Sequence, residues 1–259
     1  MSTVLFDQIV YGPVKSRRLG LSLGINLSPL NGKRCTFNCI YCECGLNEER
    51  RTKTPAPSRE EVKQALTKKL AEMHAKEIHP DVITFSGNGE PAMHPDFPGI
   101  IDDTLEIRNK LCPEAKVAVL SNSTMLHKEK VVQALHKVDE SLMKLDAAKD
   151  SLIKQIDQPV IHDFTVDKLI EQLTRFHGKL IIQTIFLKGE QNGIPIDNTS
   201  DEDVSKWIEA LKKIRPEKVM IYTISRDTPV KTLQKVPVET LEKIAEKVRQ
   251  AGFNVSVST

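Results

Sequence analysis

The sequence predicts an α/β fold, a parallel sheet with helices packed outside it, in a single domain spanning 1–259. Three observations predict it. Short apolar runs alternate with amphipathic stretches along nearly all of the 259 residues. The runs are continuously apolar, as in strands covered on both faces. Polar clusters follow the carboxyl ends of these runs one after another, where α/β sheets carry their sites.

The elements follow in order. Residues 1–20 are expected as an N-terminal extension packed on the core. "LSLGINLS" (21–28) is the first strand candidate, followed by a connector and a cysteine-rich loop. After the stiff "TPAP", Ser58 precedes Glu61 by three, a capping box, and Val62, Leu66, Leu70 and Met73 share one helical face. "DVITFSG" (81–87) leads to a helix near 98–111, "KVAVLSN" (116–122) to a helix near 127–137, and "SLMKLDA" (141–147) is the fourth strand. Leu169, Ile170, Leu173 and Phe176 mark a helix stopped by Gly178. "KLIIQTIFL" (179–187) precedes a helix opened by Ser200 and Asp203, with Val204, Trp207, Ile208, Leu211 and Ile214 at helical spacing. "KVMIYTI" (218–224) comes next. Leu241, Ile244, Ala245 and Val248 form the last helix, stopped by Gly252, and "FNVSV" (253–257) ends the series. Trp207 and the methionines on these faces are read as core. Six β-then-α units with right-handed crossovers lie flat as a doubly wound sheet or curl into an incomplete barrel.

Composition is that of an ordinary globular chain, 39% hydrophobic and 28% charged, with no compositional sign of disorder. No apolar run approaches the roughly 18 residues of a membrane span. The start "MSTVLFDQIVYGPVKSRR" lacks the features of a secretory signal, so a cytoplasmic location is expected. In a reducing compartment clustered cysteines bind metal or do redox chemistry more often than they pair. Net charge is only +2, which excludes a general nucleic-acid coat. Residues 1–57 nevertheless hold eight Lys/Arg, among them Arg17, Arg18, Arg50 and Arg51, against four acids, a bias that suits an anionic ligand. With three Tyr and one Trp there is no aromatic-rich basic stripe for stacking single-stranded bases.

Chemistry concentrates in "RCTFNCIYCECG" (34–45), with Cys35, Cys39, Cys42 and Cys44; the fifth cysteine, Cys112, reads as a small buried hydrophobe. A zinc site would use all four thiolates, although C-x-C beside CxxC crowds one loop. A dithiol of Cys39 and Cys42 leaves Cys35 unexplained. An iron–sulfur cube held by three thiolates keeps one iron open for a ligand. At the next strand end, "SGNGEP" offers carbonyl and carboxylate acceptors and ends in Glu90, which suits a cation and repels phosphate. Asp146, at the fourth strand end, is placed for ribose hydroxyls or as a helix cap. Ser121 and Asn122 cap or bind. Gln183, Tyr222 and Arg226 are expected on the rim, and His94 at a helix start. Only the cube uses all these features together.

Cys35-x-x-x-Cys39-x-x-Cys42 with Tyr41 inside, paired with a GGEP-like loop at 87–91, resembles the radical S-adenosylmethionine (SAM) superfamily over nearly the whole chain. "YGPVKSRRLGLSLGINLSP" and "TFSGNGEP.MHPDF" look most like its wyosine-synthase-related "Fe–S oxidoreductase" group. The resemblance implies a partial (β/α)6 barrel of parallel strands, a [4Fe–4S] cluster on Cys35, Cys39 and Cys42, and SAM as ligand. It further implies that Gly87, Asn88, Gly89 and Glu90 receive the amino group of SAM. Tyr41 would lie by the adenine, Asp146 on the ribose, with Ser121 and Asn122 as further contacts. Asn88 departs from the usual second glycine. The implied reaction is reductive cleavage of SAM to methionine and a 5′-deoxyadenosyl radical that abstracts hydrogen from a substrate, such as a tRNA base or another bulky anionic molecule. Activation of a glycyl-radical enzyme is an alternative, and a zinc-stabilised binding protein is the alternative of another class. The resemblance also implies an electron donor of flavodoxin or ferredoxin type. Cys44, Tyr222 and Arg226 are the candidate catalytic residues.

Overall fold

A computed structural model describes residues 4–16 and 18–259; Arg17 lies outside the described residues. In chain order the elements are β1 (Val10–Ser16), β2 (Gly20–Ile25), α1 (Arg59–His74), β3 (Val82–Phe85), α2 (Phe97–Leu111), β4 (Lys116–Ser121) and α3 (Glu129–Leu135). They continue with β5 (Glu140–Lys144), α4 (Asp150–Ile156), α5 (Val166–Thr174), β6 (Ile181–Gln191), β7 (Ile194–Asp197) and α6 (Asp201–Ile214). β8 (Lys218–Thr223), β9 (Gln234–Lys235), α7 (Val238–Gln250) and β10 (Val255–Ser258) complete the chain.

The sheet order β1-β2-β3-β4-β5-β6-β8-β10 follows the chain, and every neighbouring pair from β2 to β10 is parallel. All seven expected strands are present and form an α/β half-barrel, which decides against the flat alternative. The sequence reading missed three antiparallel additions. β1 pairs with β2, so the expected extension supplies an edge strand. A bulge at Tyr11/Val14 takes in Pro13, which cannot donate to the ladder. β7 and β9 pair with the overlong end of β6.

Alternation along each strand sorts the side chains into two layers. Leu23, Ile25, Ile83, Phe85, Val117, Val119, Met143 and Leu145 belong to the main core beneath the helices. On the opposite face Val82, Ala118, Leu142, Ile181 and Met220 form a small apolar cluster, the barrel floor, with Leu19 packed against it. Two residues further along the same strands, and so on the same face, come Thr84, Leu120, Lys144, Gln183 and Tyr222.

The helices follow the expected apolar faces. α1 carries the full Ser58–Glu61 capping box and buries Val62, Leu66, Leu70 and Met73. Ser200 caps α6 by accepting from the Asp203 N–H, and Trp207 is core, its Nε1 donating to Leu145 O at 3.1 Å. Cys112 caps the end of α2 and is buried. α5 stops at Thr174, two residues before Phe176, and Gly178 turns the chain at φ +87°. α4 was foreseen only through the cap alternative at Asp146; it begins four residues later and gives the β5–β6 crossover two short helices. Among the described residues no helix is long and apolar enough to cross a membrane.

Candidate active site

The cysteine loop lies over the open carboxyl end of the barrel and is tied to two other strand-end loops. Toward β3, Arg34 N–H donates to Asn88 O and Glu90 N–H to Arg34 O, each at 3.0 Å. Toward β4, Asn122 Nδ2 donates to Thr36 Oγ1 at 2.8 Å and lies 3.5 Å from Cys35 Sγ. Toward the end of α4, Asn38 N–H donates to Asp157 O at 2.9 Å. These bonds bring together the features that the sequence had placed on one rim.

Cys35 and Cys42 are half-buried, Cys39 and Cys44 buried. Among the described residues no group of three or more His, Cys, Asp and Glu closes on a single ion. Cys44 Sγ is turned to Gly87 O at 3.4 Å. The Cys44 thiol lowers the Cys42 pKa, against the opposing effect of burial and with help from Lys33; Cys44 is raised correspondingly. Burial pushes the Cys35 thiol up to about 12, and burial with the nearby Asp157 charge also raises Cys39.

Lys33 was missed by sequence reasoning. It is only 7% exposed, and its Nζ donates to Gly45 O at 2.7 Å. Burial alone would lower its pKa, yet the charges of Cys42, Cys35 and Cys39 leave it raised. It is the positive charge beside the sulfurs.

The Glu90 loop is built differently from expectation. Asn88 does not face a ligand: its Oδ1 accepts from Phe6 N–H at 2.8 Å and its Nδ2 donates to Phe6 O and Pro29 O. It therefore pins the N-terminal segment. The Glu90 carboxylate accepts from Ala92 N–H (3.0 Å), Ser121 Oγ (2.9 Å) and Asn122 N–H (2.6 Å). Three of about four acceptor positions are thus used, and one on Oε2 remains. Burial raises its pKa against these bonds. Ser121 and Asn122 act as braces, since Ser121 Oγ also accepts from Ser123 N–H and Asn122 Oδ1 from Thr124.

Asp146 is neither a free rim carboxylate nor a helix cap, because α4 begins at Asp150. Its side chain has no exposure. Oδ1 accepts from Ile185 N–H at 3.0 Å; Oδ2 accepts from Tyr41 OH and lies 3.3 Å from Lys144 Nζ. The expected ribose contact is closed to it in this arrangement. The Tyr41 hydroxyl also accepts from Lys144 and lies 3.2 Å from Asp157 Oδ1, to which Cys39 Sγ donates at 3.2 Å. Burial, then the Asp146 charge, raises the Asp157 pKa. Burial would lower Lys144, but Asp146 and its neighbours hold it well above its usual value. Lys144 was readable from the sequence, since residues two apart in extended chain share a face and "KLD" runs on from the end of β5. Asp157 carried no local signal.

Lys144→Met leaves Asp146 buried without its cation. A loss of about 3–5 kcal/mol is expected, toward the low end because Tyr41 and Ile185 still donate to Asp146. Urea denaturation of the apoprotein measures it.

Below the cysteine loop lies a cavity of about 510 Å³, walled by Tyr41, Cys42, Cys44 and Tyr222 among others. Arg226 lines its mouth and bonds Glu43 at 2.5 Å, joining the loop after β8 to the cysteine loop. Gln183 is not on the rim. It sits just above the floor, donating to Leu142 O. His94 holds a helix start, its Nδ1 accepting from Asp96 N–H at 3.1 Å and its Nε2 lying 2.7 Å from Pro57 O.

A profile of the Radical SAM superfamily matches residues 32–192. A Brachyspira hyodysenteriae protein named GTPase Obg is 32% identical over 252 residues, which cover 96% of this chain and 34% of that protein. A Helicobacter pylori UPF0026 protein (strain ATCC 700392 / 26695) is 33% identical over 233 residues, 86% of this chain and 68% of its own length. The chain thus spans about a third of the first relative and about two thirds of the second. A radical SAM methyltransferase from Sphaerobacter thermophilus superposes with a TM-score of 0.68 at 14% identity, over 92% of this chain and 65% of that one, a likeness of fold alone. These likenesses reach the superfamily and stop short of its wyosine-synthase-related branch.

Proposed function

Because this chain belongs to the radical SAM superfamily, whose enzymes carry a [4Fe–4S] cluster and use SAM, we propose that Cys35, Cys39 and Cys42 hold the cluster and that SAM binds beneath it. The observation that carries this reading is the set of three thiols on one loop, with Lys33 buried beside them and the fourth thiol, Cys44, buried and within reach of Gly87 O. The residues fit the group. Thiolates are the donors that iron–sulfur clusters take, Lys33 offsets their charge, and Asn122 Nδ2 offers an N–H to Cys35. When bound, the cluster supplies one electron to the sulfonium of SAM, giving methionine and a 5′-deoxyadenosyl radical that takes hydrogen from the substrate.

The chain's own residues bind and orient. Glu90 keeps one acceptor position for the amino group of SAM, while Ser121 and Asn122 hold the carboxylate that provides it. Gly87 O is shared with the Cys44 thiol. The Tyr41 ring, fixed through its hydroxyl by Asp146 and Lys144, forms the wall on which the adenine rests. Asp146 acts through Tyr41. The superfamily chemistry needs a reductant, and a flavodoxin- or ferredoxin-type donor is the partner proposed here, in the cytoplasm. Arg34 and Arg51, both exposed, suit an acidic partner.

Anaerobic reconstitution tests the reading. A brown protein with about four irons per chain is expected, releasing 5′-deoxyadenosine from SAM under dithionite. A colourless zinc protein contradicts it. Cys44→Ala is expected to keep its iron, checked by iron and sulfide analysis; a four-cysteine zinc site would lose its metal.

A further inference from the structure

We propose that Arg18 forms an anion-binding subsite at the floor of the cavity, which takes the carboxylate or phosphate group of a small-molecule substrate. This rests on the radical SAM reading and adds the substrate class to it.

Arg18 lies on the β1–β2 turn next to Leu19, which packs on the apolar floor. From there it reaches across the barrel. Its guanidinium stacks 4.4 Å from the centre of the Tyr222 ring, and Nη1 lies 3.4 Å from Gln183 Oε1. Stacking holds the plane of a guanidinium while leaving its edge free to donate. A guanidinium has five N–H donors, and Gln183 takes one of them at long range.

No carboxylate answers this charge. Among the described residues Arg18 forms no ion pair, and the one acid lining the cavity, Glu43, is bonded to Arg226 at the mouth. Lys15, also a lining residue, forms no ion pair among the described residues either, so the lining is net positive. A half-buried cation with no anionic partner is unfavourable, and a bound anion removes that penalty through charge-assisted, bidentate hydrogen bonds. The walls around Arg18 are neutral: Ser22 and Thr84 hydroxyls bond each other at 2.8 Å, and Tyr11 OH bonds Ser86 Oγ at 2.7 Å.

Position sets the size of the ligand. Arg18 is at the floor and the cysteines are at the top of a 510 Å³ cavity. A molecule anchored on Arg18 would point its other end at SAM bound beneath the cysteine loop. A polynucleotide backbone would stay on the outer surface, so a small anionic metabolite is favoured over RNA.

Equilibrium dialysis of the holoprotein against radiolabelled inorganic phosphate, and separately against labelled succinate, at constant ionic strength in chloride, tests this. Saturable binding of one of the two ions, at one per chain, is expected, and the ion that binds identifies the substrate's anionic group. Arg18→Gln should weaken it about tenfold or more, with Arg18→Lys intermediate. Tyr222→Leu removes the stack and keeps the charge; it should weaken binding by less and covers the case in which Arg18→Gln fails to fold. The proposal is overturned if neither ion binds above the chloride background, or if Arg18→Gln binds as well as wild type. Parallel loss of SAM binding in that variant overturns it too, because the charge would then serve the cosubstrate. Displacement of the ion by unfractionated tRNA overturns it in favour of a polynucleotide. The same wild-type preparation is assayed for reductive cleavage of SAM. Absence of cleavage takes down the proposed SAM chemistry, whereas the dialysis alone decides the subsite.

Discussion

Gly89→Ala is expected to leave the protein folded and strip it of iron. Gly89 sits at φ +150°, and a β-carbon built there would lie 1.8 Å from Arg34 O and 2.5 Å from Arg34 C. The obstruction is backbone, so no side chain can rotate away. Gly89 lies in the middle of the two-bond bridge between the Glu90 loop and the cysteine loop. Any added carbon pushes Arg34 outward, and Cys35 follows it in the chain. Displacements of about 1 Å at a reacting centre cost roughly 100-fold in rate, and a cluster ligand moved that far is lost. Reconstituted Gly89→Ala should therefore retain well under half the iron of wild type and show a loss of 5′-deoxyadenosine release of about 100-fold or more. Circular dichroism should stay near wild type, because the bridge lies above the barrel. Full iron content in this variant would contradict the account of the bridge.

Cys42→Ala is expected to abolish cluster binding and reduce cleavage of SAM to background. Of the loop's cysteines, Cys42 is the one whose pKa is lowered, by the Cys44 thiol and the Lys33 ammonium against burial. A lowered pKa favours the thiolate, which is the ligating form. Cys35→Ala and Cys39→Ala should lose the cluster as well. Cys112→Ala should not, since Cys112 is a buried cap at the end of α2, far from the cysteine loop in the chain. Iron and sulfide counts with a deoxyadenosine assay compare all four variants. A Cys42→Ala protein that still holds about four irons and cleaves SAM would contradict the assignment.

The parallel strands were legible because burial on both faces leaves a continuous apolar signal, as in "DVITF" and "KVMIY". The convergence of Cys35, Glu90, Asn122 and Asp146 on one end followed from strand direction alone. Additions to the sheet were not legible. β1 carries Gly12, Pro13 and Lys15, which read as a turn and a charged tail. β7 and β9 pair with "LKGEQ", a stretch of β6 too polar to show as strand. Side-chain direction was the other gap. Asn88 reads as a turn residue facing a ligand, yet its amide is committed to Phe6, more than eighty residues earlier. Asp146 looks like a ribose acceptor until Lys144 and Tyr41 are seen to occupy it. Each of these depends on a partner distant in sequence, which spacing and periodicity do not encode. Arg18 is the converse case. Its charge was visible as part of a basic bias, and only the Tyr222 stack sets it apart from its neighbours.

A loop that supplies three thiolates would leave one corner of an iron cluster for SAM. Electron paramagnetic resonance of the dithionite-reduced holoprotein, with and without SAM, tests it most directly. A reduced [4Fe–4S] signal whose shape changes when SAM is added is expected. An unaltered spectrum, or a protein without paramagnetic iron that holds zinc on four cysteines, would contradict it.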